Sequence, residues 1–165
     1  MDDAIALAFL DKSRTLITAD YVPKIERCLD RLLDADIWWR PNEASNSIGN
    51  LILHLSGNVC MWIIGGVGEL PFERHRQREF DERRRIPAGE LLSRLKGIVQ
   101  QADEVMSSVR PDDLLSRRQI QGYDVTVLEA MYHVVEHFSM HTGQIILLSK
   151  ARVEEDLKLW APPKA

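Results

Sequence analysis

The stretch Ile48-Gly-Asn-Leu-Ile-Leu-His-Leu-Ser-Gly-Asn-Val-Cys-Met-Trp-Ile63 carries apolar residues three and four positions apart. Residues at this spacing form one stripe along an α-helix, and the stripe must be buried against other elements. The loop before it, Pro41 to Ser47, offers Asn and Ser side chains that can cap the start of the helix. Three glycines, Gly65, Gly66 and Gly68, predict its end.

Two further stretches have the same spacing on either side of this helix. The first contains Pro23, which predicts a break or a first-turn residue. The other begins after Pro87 and ends before Pro111. Their apolar positions are Val22, Ile25, Leu29, Leu32 and Leu33 in the first, and Leu91, Leu92, Leu95, Ile98, Val99, Ala102, Val105 and Met106 in the second.

A fourth helix begins where Thr126 and Glu129 fit a capping box, and it runs to about Lys150. The segment before it, Arg117 to Tyr123, is too short for a helix and fits a brief strand. Four substantial amphipathic helices without strong strands predict an all-α fold, a four-helix bundle.

Length and charge narrow the class of protein. The 165 residues carry 21 Lys and Arg against 25 Asp and Glu, which gives a net charge of −4. The length fits one domain, residues 1–160, followed by a frayed C-terminal tail, residues 161–165. A negative balance argues against nucleic-acid binding, and no uninterrupted apolar run approaches the roughly 20 residues that span a membrane. Acidic residues at the N-terminus do not fit a secretory signal, so a cytoplasmic location is predicted.

Residues 73–85 carry six arginines and four acidic residues. One interpretation is an anion-binding lip over a substrate site. The other is a solvated connector whose charges neutralise one another, and this second interpretation is favoured because most charge runs are solvated. His75, within the same segment, is interpreted as an ordinary surface residue.

Three of the five histidines, His133, His137 and His141, lie four residues apart in the fourth helix. One helical turn separates each from the next, and two imidazoles at that spacing can bind one cation. The third ligand must then come from another helix, and His54 is the candidate. A helical wheel turns His141 and His137 further inward than His133, which favours a site at the mouth of a bundle. The alternatives are an exposed polar face and, for His54, a hydrogen-bonded, partly buried histidine.

A second motif overlaps these residues. His133-Val-Val-Glu-His137 matches H-x-x-E-H, the inverted zinc-protease arrangement in which Glu136 would be the general base. Because His133 faces away from the apolar stripe and such proteases are far larger, this interpretation is disfavoured.

Two segments together resemble one known family. Asn46-Ser-Ile-Gly-Asn-Leu-Ile-Leu-His-Leu-Ser-Gly-Asn58 and His137-Phe-Ser-Met-His-Thr-Gly-Gln-Ile145 are similar to the DinB/YfiT-like superfamily, in a branch of small bacterial proteins. The resemblance covers residues 15–150. It implies a four-helix bundle, often a homodimer, in which three histidines hold a divalent metal ion.

The resemblance also implies roles for individual residues. The three family ligands fall on His54, His137 and His141. It also implies that His133 is a fourth ligand or a neighbour of the ligands. Asn58 and Gln144 would orient the ligands or a bound water. Zinc and nickel are the preferred ions, although iron and manganese also accept imidazoles.

Three protein ligands leave an open coordination position, which is typical of catalytic sites. Two reactions follow. In the first, which the resemblance favours, the ion activates a small-molecule thiol for S-transfer to an electrophilic substrate. In the second it activates water for hydrolysis, and Glu136 or His133 would act as a base in either reaction. The non-catalytic alternative is a metal-binding or stress-related helical interaction protein.

Overall fold

The computed structural model of the protein describes residues 3–153 and 155–160, and four long helical stretches among them form the bundle. Helix α1 comprises Asp3–Thr15, Leu16–Tyr21 and Val22–Leu29; α2 is the short helix Asp34–Ile37; and α3 comprises Ile48–Val59 and Cys60–Val67. Helix α4 is Arg76–Asp81, α5 is Ala88–Ser108 and α6 is Val127–Lys150. Between α5 and α6 lie a 3₁₀ turn, Pro111–Leu115, and two strands, β1 (Arg117–Ile120) and β2 (Tyr123–Thr126).

The four long helices pack as a closed ring. Helix α1 contacts α5 and α6, and α3 contacts the same two helices from the opposite side. Each helix contributes fully buried side chains to the core between them, among them Ile25, Leu55, Leu95 and Phe138. The predicted all-α four-helix bundle is therefore confirmed.

Helix α1 passes through Pro23 without a break. Residues Leu16–Tyr21 form a wide, π-helical stretch, in which the Val22 amide donates to the carbonyl of Ile17, five residues earlier. A proline ring collides with the carbonyl four residues before it in an α-helix, and a wide turn relieves that collision. The helix then ends at Leu29. Leu33 lies beyond this end and is 75% exposed, so its assignment to the apolar stripe is wrong.

Helix α3 begins with a capping box, as the loop before it predicts. The Ser47 hydroxyl accepts from the Asn50 amide, and the Asn50 side chain accepts in return from the Ser47 amide. The helix ends at Val67, among the three glycines that predict its end, and π-helical turns carry it past Gly65 and Gly66. At Gly66 a side chain would collide with Ile120 of β1, so this glycine lets the strand lie directly against the helix.

One stretch among the described residues, Ile48–Val67, is long and apolar enough by length and composition to cross a membrane. Polar residues such as Asn50 and His54 interrupt it, which is why no uninterrupted apolar run of that length is visible. Within the protein 83% of the stretch is buried. Such burial is typical of the core helix of a soluble protein.

The predicted brief strand is confirmed as part of a hairpin. Strands β1 and β2 are antiparallel, with Ile120 opposite Tyr123. The two residues between them, Gln121 and Gly122, have φ angles of 52° and 84°, as a tight two-residue hairpin turn requires. The predicted capping box of α6 is also present. The predicted frayed tail, 161–165, lies outside the described residues.

Candidate metal centre

Three histidines from two helices meet at one point of the bundle. His54 comes from α3, and His137 and His141 come from successive turns of α6. Their candidate ligand nitrogens all lie within 4.8 Å of one another, and the Nε2 atoms of His54 and His137 are 2.9 Å apart. His54 and His141 are buried, whereas His137 is partly exposed. The structure therefore brings together the three residues expected as metal ligands, in a cluster that could bind a metal ion.

The hydrogen bond of His141 shows which of its nitrogens is free. Its Nδ1 lies 2.7 Å from Oε1 of Gln144, so Nδ1 donates and Nε2 keeps its lone pair. That Nε2 is buried and has no hydrogen-bond partner among residues 3–153 and 155–160. A buried polar atom without a partner is unfavourable and calls for an explanation. A divalent ion bound to Nε2 would satisfy it, and the donor set fits such an ion.

Burial keeps the imidazoles of His137 and His141 neutral. Burial, followed by the neighbouring His141 and His54, lowers the pKa of His137 to about 3. Burial also lowers the pKa of His141, against the opposing effect of its hydrogen bond to Gln144. A histidine binds a metal only in its neutral form, so protons compete weakly for these ligands at neutral pH.

Residues of the arginine-rich segment complete the surroundings of His54. Oε2 of Glu79 lies 2.8 Å from His54 Nδ1, and Arg74 forms a two-pronged ion pair with the same carboxylate. Only 4% of the Arg74 side chain and 11% of the Glu79 side chain are exposed. Burial would raise the pKa of Glu79, but hydrogen bonds from His54 and Arg74 outweigh it and lower that pKa.

For these two residues the interpretation of the segment 73–85 as a solvated connector is wrong, and the segment also contains helix α4. It holds for exposed members such as Arg83 and Arg85. His75 is exposed as expected, 3.4 Å from Glu73. Nothing in the local spacing identifies Arg74 and Glu79, because their partner His54 lies 20 and 25 residues away, in another helix.

An open cavity of about 840 Å³ adjoins the cluster. His54 and His137 line it, so a metal ion at the cluster would be reachable from this side. Trp62 and residues of the hairpin form an aromatic wall, and two arginines lie among the other lining residues. The cavity is lined by His54, Asn58, Trp62, Arg74, Arg76, Gln121, Tyr123, Val125, Glu129, His133 and His137.

His133 and Glu136 are not members of the three-histidine cluster, although the His133 ring stacks against that of His137 with centroids 5.4 Å apart. The His133 ring packs on Trp62 with centroids 4.1 Å apart, and its Nε2 lies 3.2 Å from the Asn58 side-chain nitrogen. Asn58 therefore orients His133, not one of the three clustered histidines. Glu136 is exposed and lines a separate depression beside Tyr21. The structure thus brings His133, but not Glu136, to the cavity, and the H-x-x-E-H residues do not form one site.

The fold and the cluster define the class of protein: a four-helix bundle with three histidines that could hold a metal ion. The crystal structure of a DinB-like protein from Bacillus cereus is similar to this chain, with a TM-score of 0.65 and 17% identity, over 81% of this chain and 87% of that one. At that identity the likeness concerns the fold, and it confirms the resemblance in fold. Residues 4–165 match the family described as "Protein of unknown function (DUF1572)", and the chain belongs to that family. A comparison with curated proteins finds no match.

Proposed function

We propose that this protein binds one divalent metal ion through His54, His137 and His141 and uses it in a reaction within the adjoining cavity. The observation that carries the proposal is the buried Nε2 of His141, which lacks a partner among the described residues and lies beside the imidazoles of His54 and His137. Zinc and nickel are the ions we propose first, with iron and manganese as alternatives that accept the same ligands.

The reaction we propose first is transfer of a small-molecule thiol to an electrophilic substrate, as the superfamily resemblance implies. A divalent ion held by three neutral imidazoles keeps its full charge and lowers the pKa of a thiol or water bound beside it. In the transfer, the sulfur forms a bond to the electrophilic carbon, the leaving group departs with its bonding pair, and the thiol proton passes to water.

The cavity walls suit a ligand with an apolar body and a negative charge. Trp62 and Tyr123 offer aromatic surface, and their ring centroids lie 6.4 Å apart. Arg76 lies over the Phe80 ring at 5.0 Å and has no ion pair among the described residues. Arg74 is already neutralised by Glu79, so Arg76 is the cation of this wall that remains free for an acidic group of the thiol or its acceptor.

Hydrolysis is the second candidate, supported by the position of His133. This histidine lines the cavity, and burial lowers its pKa, so it is neutral and able to accept a proton at neutral pH. Glu136 is not proposed as the base because it lines a different depression.

The proposal extends to the setting of the protein. We propose a homodimer, which the superfamily resemblance implies, working in the cytoplasm without a membrane or nucleic-acid partner. The net charge of −4 supports the last point, because nucleic-acid binding needs a basic surface.

Metal content tests the proposal directly. Untagged protein is incubated with zinc or nickel, dialysed and analysed by mass spectrometry. We expect about one ion per chain, lost in the double variant His137→Ala, His141→Ala. The control variants His133→Ala and His75→Ala should keep the ion, because neither residue belongs to the cluster. A wild-type protein that retains no ion would refute the proposal, and loss of the ion in His133→Ala would contradict the three-histidine ligand set by making His133 a further ligand.

Activity is then assayed with low-molecular-weight thiols and an aromatic halide, and separately with ester and amide substrates. Turnover by the metal-loaded protein that the double variant lacks would support S-transfer or hydrolysis, according to the substrate. A metal-loaded protein inactive in both assays would favour the non-catalytic, metal-binding interaction protein.

A further inference from the structure

The arginine-rich segment reaches the metal centre through one carboxylate. We infer that Glu79 is a positioning residue that fixes which nitrogen of His54 faces the ion, that Arg74 holds this carboxylate in place, and that Gly57 makes room for it. The inference rests on the proposed metal site.

The hydrogen-bonding capacity of Glu79 determines the tautomer of His54. An ionised carboxylate only accepts hydrogen bonds, and Oε2 of Glu79 lies 2.8 Å from His54 Nδ1. Nδ1 must therefore carry the hydrogen, and in the neutral imidazole that a metal ion requires the lone pair is then on Nε2, the atom that faces His137. Arg74 Nη2 also lies 3.1 Å from Nδ1. Arg74 could donate to Nδ1 only if Nδ1 carried no hydrogen. Nδ1 and the Glu79 carboxylate would then be two acceptors 2.8 Å apart, which is unfavourable.

Glu79 is itself held from two directions. Nε and Nη2 of Arg74 donate to its two carboxylate oxygens at 2.7 and 2.8 Å, which fixes the plane of the carboxylate. Its backbone carbonyl accepts from Nδ2 of Asn50 at 2.9 Å, so the start of α3 is bonded to the end of α4. The position of Glu79 is thus set by Arg74 at its carboxylate and, at its backbone, by α3, the helix that also carries His54.

Gly57 leaves the space in which the carboxylate lies. A Cβ atom at this position would collide with Oε1 of Glu79 and would come within 2.8 Å of its Cδ and 3.0 Å of Arg74 Nε. Any side chain at residue 57 would therefore displace the ion pair. Gly97, in α5, is a matched control because a Cβ there meets nothing within 4 Å.

The competing explanation is that the ion pair only anchors the segment 73–85 to the bundle. An anchor could be replaced by apolar side chains of similar size, since a buried ion pair often contributes little net stability. The double variant Arg74→Met, Glu79→Met removes both charges together and separates the two explanations. The single variant Glu79→Ala would leave a buried, unpaired arginine and is therefore less informative.

The experiment reads the tautomer without metal and the affinity with it. Long-range ¹H–¹⁵N spectra of histidine-labelled, metal-free protein should show His54 protonated at Nδ1 in the wild type, and a mixture of tautomers in the double variant and in Gly57→Ala. Zinc affinity, measured by competition with a chelating dye, should fall about 10- to 100-fold in both variants. Gly97→Ala should match the wild type in both measurements.

Three results would overturn the inference: an Nε2-protonated His54 in the wild type, a wild-type tautomer in the double variant, or wild-type zinc affinity in a folded double variant. Failure of the metal site itself is distinguishable from these. If the wild type binds no zinc, the proposed function fails, and the metal-free spectra alone then decide whether Glu79 sets the tautomer.

Discussion

Helices α3 and α6 hold their shares of the histidine cluster by different means. In α6, one helical turn separates His137 from His141, and Gln144, three residues further on, orients His141. In α3, by contrast, His54 takes its orientation from Arg74 and Glu79, which lie 20 and 25 residues away in sequence. One half of the site is thus encoded locally and the other half depends on tertiary packing.

The capping boxes of the two helices show the same contrast between local contacts in α6 and contacts with a distant segment in α3. Among the described residues, the side chains of Thr126 and Glu129 form hydrogen bonds only within their own cap, at an exposed helix start. The equivalent pair at α3, Ser47 and Asn50, is buried, and Nδ2 of Asn50 also donates to the carbonyls at the end of α4. A residue that serves both its own helix and a distant segment should be more costly to replace.

Replacing Asn50 or Glu129 by alanine tests this difference between the two caps, and of all the variants Asn50→Ala should have the largest effect. Asn50→Ala removes the acceptor of the buried Ser47 amide and hydroxyl, and it removes the side-chain donor to the Glu79 carbonyl. We therefore expect it to lower the free energy of unfolding by about 3 kcal/mol. Glu129→Ala removes an exposed cap and should cost about 0.5–1 kcal/mol. Urea denaturation measures both, and hydrogen exchange should accelerate across Arg76–Asp81 in the first variant alone. Equal losses in the two variants would contradict the distinction.

In metal-free protein, acid should lower the stability of the fold through His137 of α6. The pKa of His137 falls from 6.5 to about 3 on folding, mainly through burial. Between these pH values His137 is protonated in the unfolded chain but not in the folded one. The folded state therefore keeps its full stability above about pH 6.5 and loses stability as the pH falls towards 3.

Urea denaturation at pH 7 and pH 5, with a chelator present, measures this effect. Wild-type protein should lose more stability than His137→Gln, which lacks the titrating group. The exposed His75 provides the control, since His75→Gln should behave like the wild type. Parallel losses in the wild type and His137→Gln would refute the assignment.

The contrast also explains how much of the molecule the sequence predicts. Helical periodicity and capping patterns depend on neighbours within a few residues, so the bundle, the start of α3 and the whole of α6 are predictable. The spacing of His137 and His141 is predictable for the same reason. His54 is the candidate third ligand from the sequence, and the superfamily resemblance assigns it that role.

The partners of His54 are not predictable in this way. Arg74 and Glu79 lie in a segment of nearly balanced charge, and only the packing of α4 against α3 buries two of its members. One signal was available in Gly57, since a glycine inside an apolar helix often marks a close approach of another group. Gly57 therefore predicts that another group lies close to the helix, but it does not identify the residue.

Gln144→Ala tests the local half of the site with the smallest expected effect. Gln144 is exposed, so a water molecule can replace its bond to His141 Nδ1. We therefore expect zinc affinity to fall by about tenfold or less, the lower end of the range for groups that orient metal ligands. Gln101→Ala, on the exposed face of α5, should leave the affinity unchanged. If Gln144→Ala weakened zinc binding more than Gly57→Ala does, the local contact would be the dominant one, and the larger role assigned to the buried carboxylate of Glu79 would be wrong.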